Sequence, residues 1–164
     1  MHFARLLQDF VADIGWHDQV ESLDGDSISR VAVRLSIGGR SYRLLLEGYE
    51  TRQWLALYLY APFTVKEDKL VDACMFFNFI NATCSYLGAL SVTDDGVIVY
   101  RQIVDLDGSV ADVALLYNML HAAADMFERN AEHIVAIAAS DLRYEEVRRN
   151  LEKKILSREE ASGG

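Results

Sequence analysis

A chain of 164 residues with 51% hydrophobic and 25% charged residues is ordinary for one folded domain and excludes a disordered polymer. Its formal charge of −9 argues against nucleic acid and anionic membrane surfaces, which need clustered Lys and Arg. The Arg148/Arg149/Lys153/Lys154 group is interleaved with Glu145, Glu146 and Glu152.

The opening Met1-His-Phe-Ala-Arg5 lacks a signal-peptide pattern, and no uncharged apolar run approaches the ~20 residues that span a bilayer. A cytoplasmic location is therefore expected. The first helix places Phe3, Leu6, Phe10 and Ile14 on one stripe, widened by Leu7 and Val11, and Gly15 ends it. Residues 16–28 read as a loop, with Asp24-Gly-Asp26 as a turn. A first strand alternates Val31, Val33, Leu35 and Ile37 with Arg30, Ala32, Arg34 and Ser36, which buries one face. Gly38-Gly39 supplies a hairpin turn into a second strand. That strand has Tyr42, Leu44 and Leu46 on one side and Arg43, Leu45, Glu47 and Tyr49 on the other. A third strand, about 53–60, is apolar on both faces: Leu55, Leu57 and Leu59 against Trp54, Ala56, Tyr58 and Tyr60.

Pro62 is expected to stop the sheet, and Thr64-Val-Lys-Glu67 reads as a capping box for a second helix. From Leu70 to Leu87 that helix is apolar nearly all round, which predicts burial all round and a second copy to complete it. Cys74 and Cys84 lie about 15 Å apart along it at 1.5 Å rise per residue, too far for a disulfide, and read as buried reduced thiols. Gly88 breaks the helix, and Asp95-Gly96 turns a hairpin whose return strand alternates Val97, Val99 and Ile103 with Ile98, Tyr100 and Val104. Asp107-Gly-Ser109 and Asp112 cap a third helix with the stripe Val113, Leu116, Leu120, Ala123, Phe127, Ala131, Ile134 and Ala138. Ser140-Asp141 restarts a fourth, with the narrow stripe Tyr144, Val147, Leu151, Ile155 and the pair Glu145–Arg149. It docks on a neighbour or stands partly free, and Ser162-Gly-Gly164 is a frayed tail. The order α-βββ-α-ββ-α with short links predicts an α+β fold with an antiparallel sheet of about five strands. The division is residues 1–139 as the α+β domain and 140–164 as a helical extension with a tail.

Asn78-x-x-Asn81 on the middle helix, Gly88, Asp94-Asp-Gly96 and Val99-Tyr100-Arg101, in this order of elements, resemble the YbjN family of small bacterial proteins. The resemblance runs from Phe3 to Ala139. It implies the chaperone-like fold also seen in type III secretion chaperones, a sensory-transduction regulator with no established catalytic residues, and a module that dimerises through its middle helix and hairpin.

The residues themselves offer little chemistry. Asn118, His121, Asp125, Glu128 and Glu132 share one face of the third helix and could suggest a carboxylate–histidine metal site, but no Glu-x-x-His occurs, and charges opposite a core stripe are a solvent face. Asp105-Leu-Asp107-Gly-Ser109 fails as a calcium loop because Val110 and Leu116 stand where Gly and Glu are needed. There is no nucleophile elbow, phosphate-cradling loop or dinucleotide fingerprint, and His2, His17, His121 and His133 show no metal spacing, so neither an enzyme nor a cofactor is expected. Asn78 and Asn81 share a helix stripe with Cys74 and Ser85, and as buried amides would organise packing or a dimer seam together with Phe76 and Phe79. Trp54, Tyr58 and Tyr60, with Tyr49, form either a partner-facing patch or sheet core under a helix. The expectation is a non-enzymatic homodimer that binds a protein or peptide. The alternative is a small-molecule sensor with an apolar pocket between sheet and middle helix.

Overall fold

Residues 2–25 and 27–162 are described by a computed structural model. In chain order the elements are α1 (Phe3–Asp13), β1 (Glu21–Leu23), β2 (Ile28–Ile37), β3 (Arg40–Tyr49), β4 (Trp54–Thr64), α2 (Leu70–Thr83), β5 (Ala89–Val92), β6 (Val97–Asp105), α3 (Val113–Ala139) and α4 (Tyr144–Ser162). The strands form one antiparallel sheet in the order β1-β2-β3-β4-β6-β5. This is an α+β fold, with six strands among the described residues.

Side chains of period two sort the sheet into two faces. Val31, Val33, Tyr42, Leu44, Leu46, Leu55, Leu57, Leu59, Ile98 and Tyr100 point to one side and are buried. The helices cover that side: the Tyr42 ring meets Phe127 of α3 at 4.8 Å, and Phe3 of α1 lies on β3. A Cβ on Gly48 would come 2.2 Å from Phe3 Cβ, so α1 closes on the sheet only because that position has no side chain.

Several boundaries differ from those read in the sequence, each for a local reason. The extra strand, β1, is three residues pairing with Ile28, Ser29 and Arg30, too short to display an alternation. Pro62 does not stop the sheet. It sits inside β4, where the pairing with β6 shifts register between Tyr60 and Thr64, an irregularity of the kind in which a residue without an N–H is tolerated. Thr64 pairs with Val97 and caps nothing; α2 begins at Leu70 after a 3-10 turn at Glu67–Lys69. The helix ends at Thr83, before Gly88. Gly88 is needed for close approach, since a Cβ there would lie 2.5 Å from the Arg101 carbonyl oxygen and 2.5 Å from Tyr100 Cζ. Asp112 does cap α3, its carboxylate accepting from the Leu115 amide at 3.1 Å. Asp24 and Gly25 have positive φ, whereas Asp26, Gly163 and Gly164 lie outside the described residues, and with them part of the predicted turn and tail.

The fourth helix folds back onto α2 and α3. Val147 and Leu151 are buried there, and Arg148 stacks over the Phe79 ring at 4.8 Å. Asp72 on α2 is the fastener: one carboxylate oxygen accepts from the Tyr144 amide at 3.1 Å, the other from Lys69 and Arg143 at 3.1 Å each. Lys69, itself buried, also donates to the Leu142 carbonyl. Burial pushes the Asp72 carboxyl pKa up, but the Tyr144 amide and the two cations outweigh it and leave the pKa below its ordinary value. Helix α3 also buries Met119, Met126, Asn130, His133 and Ile137 beyond its predicted stripe.

His133 faces α4, and burial, then the Lys154 charge, lowers its pKa, with Glu132 opposing. A histidine whose folded pKa lies below its unfolded value of about 6.5 supports the fold fully only above that value. Stability is expected to fall as pH drops below about 6.5 toward the lower folded pKa, a window separate from that of Asp72, whose contribution is lost only in stronger acid. Urea unfolding followed at about pH 7.5 and about pH 5.5 should show this loss, and His133→Gln should flatten it. An equally steep loss in that variant would place the titration elsewhere.

Candidate functional site

Among the described residues no helix lies over the second face of the sheet. Cross-strand register places its residues in rows, because directly opposed antiparallel residues share a face. Ile28, Tyr49, Trp54 and Asp105 make the first row, and Glu21, Arg30, Glu47, Ala56 and Ile103 the second. The third is Ala32, Leu45, Tyr58, Arg101 and Ala89, and the fourth Arg34, Arg43, Tyr60, Val99 and Ser91. Trp54, Tyr58, Tyr60 and Tyr49 thus come together on this uncovered face, each half-buried. Two-sided apolarity of β4 here means a helix-covered side and an aromatic side open to water.

Polar chemistry holds the aromatic rings in place. Tyr58 and Tyr60 stack with centroids 6.5 Å apart, the Arg43 guanidinium lies 4.4 Å over Tyr60, and that of Arg52 lies 5.1 Å over Trp54. Glu47 is only 4% exposed. Its carboxylate accepts from Arg30 Nε at 2.7 Å and from the Tyr49 hydroxyl, so the buried charge is paired. Desolvation first, then the bond to Glu47, raises the Tyr49 pKa and keeps that phenol a donor. Nothing in this arrangement supplies a nucleophile with a base beside it. Among the described residues no group of three or more His, Cys, Asp or Glu could hold a metal ion.

The middle helix is not buried all round. It sinks Ala73, Phe76, Phe77 and Ile80 and leaves a stripe of Val71, Cys74, Met75, Asn78 and Ala82 in water, with Val71 73% and Met75 45% exposed. Helix α4 shields the Phe79 side. Phe76 is therefore core and Phe79 an intrachain contact, and of the four helix residues singled out only Asn78 stands on the free stripe. Neither cysteine is buried as the apolar helix predicts: Cys74 is exposed and Cys84 half-buried. The amides are not buried either. Asn81 works at the sheet edge: its Nδ2 donates to the Leu90 carbonyl and its Oδ1 accepts from the Leu90 amide, both at 2.9 Å, which extends the ladder beyond β5.

A cleft of about 510 Å³ lies between the α2–β5 connection, α3 and α4, rather than between sheet and middle helix. Tyr86, Leu87, Asn130, Leu151 and Ile155 line it, and Asn130 Nδ2 donates to the Tyr86 hydroxyl at 2.9 Å. Burial raises the Tyr86 pKa. The polar residues Asn118, His121, Glu128 and Glu132 of α3 face solvent, and Asp125 pairs with Arg129 at 2.6 Å.

One family profile matches residues 4–136 and carries the description "Putative bacterial sensory transduction regulator". The chain belongs to the YbjN family. Helix α4, at the edge of this YbjN protein, lies outside the matched region. Among solved structures it is similar to a chain of the HopA1–SchA chaperone–effector complex, with 17% identity, 79% of this chain and 91% of that chain covered, and a TM-score of 0.47. It is also similar to a chain of the Yersinia pestis type III secretion chaperone SycH in complex with a stable fragment of YscM2, with 13% identity, coverage of 75% and 94%, and a TM-score of 0.49. Comparison with curated proteins returns no match. Among the described residues no helix is long and apolar enough to cross a membrane.

Sequence reasoning missed the arginines of the open face, although Arg30, Arg34 and Arg43 share the parity of the wet side and could have been counted there. It also missed Asp72, because nothing local says that a helix beginning 72 residues downstream returns to it.

The two asparagines of the middle helix, Asn78 and Asn81, do different things. Asn81→Ala is expected to destabilise the protein by about 1–2 kcal/mol, because two hydrogen bonds to the edge strand are lost. Asn78→Ala should stay within about 0.5 kcal/mol of the parent, as substitutions on a free surface do. Chemical denaturation of both variants checks this; equal effects would mean that the clamp is not the stabilising element.

Proposed function

We propose that this YbjN protein is a non-enzymatic interaction module that acts in the cytoplasm, associates as a homodimer and holds a segment of a partner protein. The observation that carries the reading is the uncovered sheet face with Tyr49, Trp54, Tyr58 and Tyr60 gathered on it. Tyr and Trp provide large contact area with little conformational freedom to lose, which suits a recognition surface. A family description as a transduction regulator accords with binding rather than chemistry. A photo-reactive benzoylphenylalanine at Tyr60 should form an adduct with a second protein when irradiated in cells, while the same group at Glu128 on α3 should not. Adducts at neither position, or at both alike, would defeat the reading.

Support for the dimer comes from the α2 stripe, where Val71, Cys74, Met75 and Ala82 expose apolar surface along about three helical turns. A two-fold axis across it would bury the same patch on both copies. Light scattering should then give about twice the 18.5 kDa chain mass, and Val71→Glu with Met75→Glu should halve it without loss of helical circular dichroism. A parent protein that is monomeric at micromolar concentration would sink the dimer.

A second reading is favoured by the cleft at Tyr86 and Asn130. Its volume is within the ~300–1,000 Å³ range of small-molecule sites. In that case the sensor of the alternative sits under α4 and not beneath the middle helix.

A further inference from the structure

Charge on the open face is sorted against the charge of the whole chain. The protein carries 25 acidic and 16 basic residues, yet the third and fourth rows of this face hold Arg34, Arg43 and Arg101 and no carboxylate. Its acids sit in the first two rows. There Glu47 is neutralised by Arg30, Glu21 lies opposite Arg30 at the edge, and Asp105 closes the far end. Arg34 and Arg43 are opposed directly across β2 and β3. Like charges in that position destabilise a sheet, so the pair is a local loss that an anion between the two would reverse. None of Arg34, Arg43, Arg52 and Arg101 forms an ion pair among the described residues, whereas Arg30, Arg129, Arg143 and Arg148 all do.

The stacking of Arg43 on Tyr60 makes this geometry specific. The Arg43 guanidinium lies 4.4 Å over the Tyr60 ring and forms no ion pair among the described residues, so it keeps donors that can meet a carboxylate as a fork. Beside it, Arg34, Ser41, Arg43, Tyr60 and Phe63 line a depression of about 370 Å³. A second depression brings Asp18 near Arg34 and Arg43 without an ion pair to either.

We propose that rows three and four of the open sheet face bind an extended, acidic polypeptide segment. Its carboxylates would take the forks of Arg34, Arg43 and Arg101, and its apolar side chains would lie on Leu45, Tyr58 and Tyr60. The inference rests on the protein-binding reading and adds the chemistry of the partner. A second copy of the chain does not fit through this face, because an isologous contact would set arginines against arginines. Nucleic acid fits poorly for a different reason. It needs a long track of cations, and here the chain's overall negative charge repels a polyanion, while a few carboxylates interact with the patch inside a screening length of about 8–10 Å.

The test is fluorescence anisotropy with the full-length protein and three fluorescein-labelled probes. They are a peptide of about ten residues alternating Glu and Leu, the same peptide with Lys for Glu, and an oligothymidylate of equal charge. The Glu peptide is expected to bind at least about tenfold more tightly than either other probe, and to weaken at least about tenfold when salt is raised from about 0.1 to about 1 M. Arg43→Glu with Arg101→Glu should reduce its binding at least about tenfold, both side chains being exposed and outside the core. Equal binding of the Lys peptide, tighter binding of the oligothymidylate, or an unchanged affinity in the charge-reversed variant would each overturn the inference. If no probe binds while Tyr60 still captures a protein in cells, the acidic character is refuted and the protein-binding reading stands. Failure at Tyr60 as well refutes both.

Discussion

Packing of every helix that touches the sheet on one side is the constraint from which the remaining features descend. Strands of alternating character can bury only the face that a second layer covers, and α1 and α3 supply that layer. The other face must then survive in water. Aliphatic side chains alone would make it an aggregation surface, whereas rings with a polar handle, stacked under guanidinium groups, are tolerated. Glu47 shows the same economy of design in reverse. A carboxylate is buried in the middle of an open face because Arg30 and Tyr49 meet both of its oxygens.

The middle helix is governed by what lies beside it rather than by its own composition. Its fourteen residues run from Leu70 to Thr83, and three neighbours compete for their surface. The sheet and α3 take Phe76, Phe77 and Ile80; α4 takes Phe79 through Arg148 and Asp72 through Tyr144. Asn81 turns to the edge of β5. What is left is the Val71–Met75–Ala82 stripe, narrower than an all-round apolar rod would require. Helix α4, beyond the matched family region, therefore decides how much of α2 remains available to any other molecule.

Legibility followed the range of the interactions. Alternation in β2, β3 and β6 and the 3.6-residue stripe of α3 are products of local backbone geometry, so both could be read from residue type and spacing. Where a boundary depended on a partner strand, reading failed. Thr64 looked like a helix cap because its ladder partner Val97 is distant in sequence, and β1 was invisible because only pairing with β2 makes it a strand. The aromatic set of β4 was recognised as a group, but whether a helix or water lay over it was undecided by the strand itself.

Residue order alone thus determined the α+β class, the succession of elements apart from β1, the family and the two-faced character of β4, since each is written in local periodicity or in short spacings. Tertiary structure decided which side of the sheet is bare, that Arg34 and Arg43 stand opposed, that Asn81 clamps Leu90, and that α4 closes on α2 through Asp72. These depend on contacts between residues far apart in the chain. Such contacts arise when burial of apolar surface brings the elements together, and no local pattern encodes their geometry.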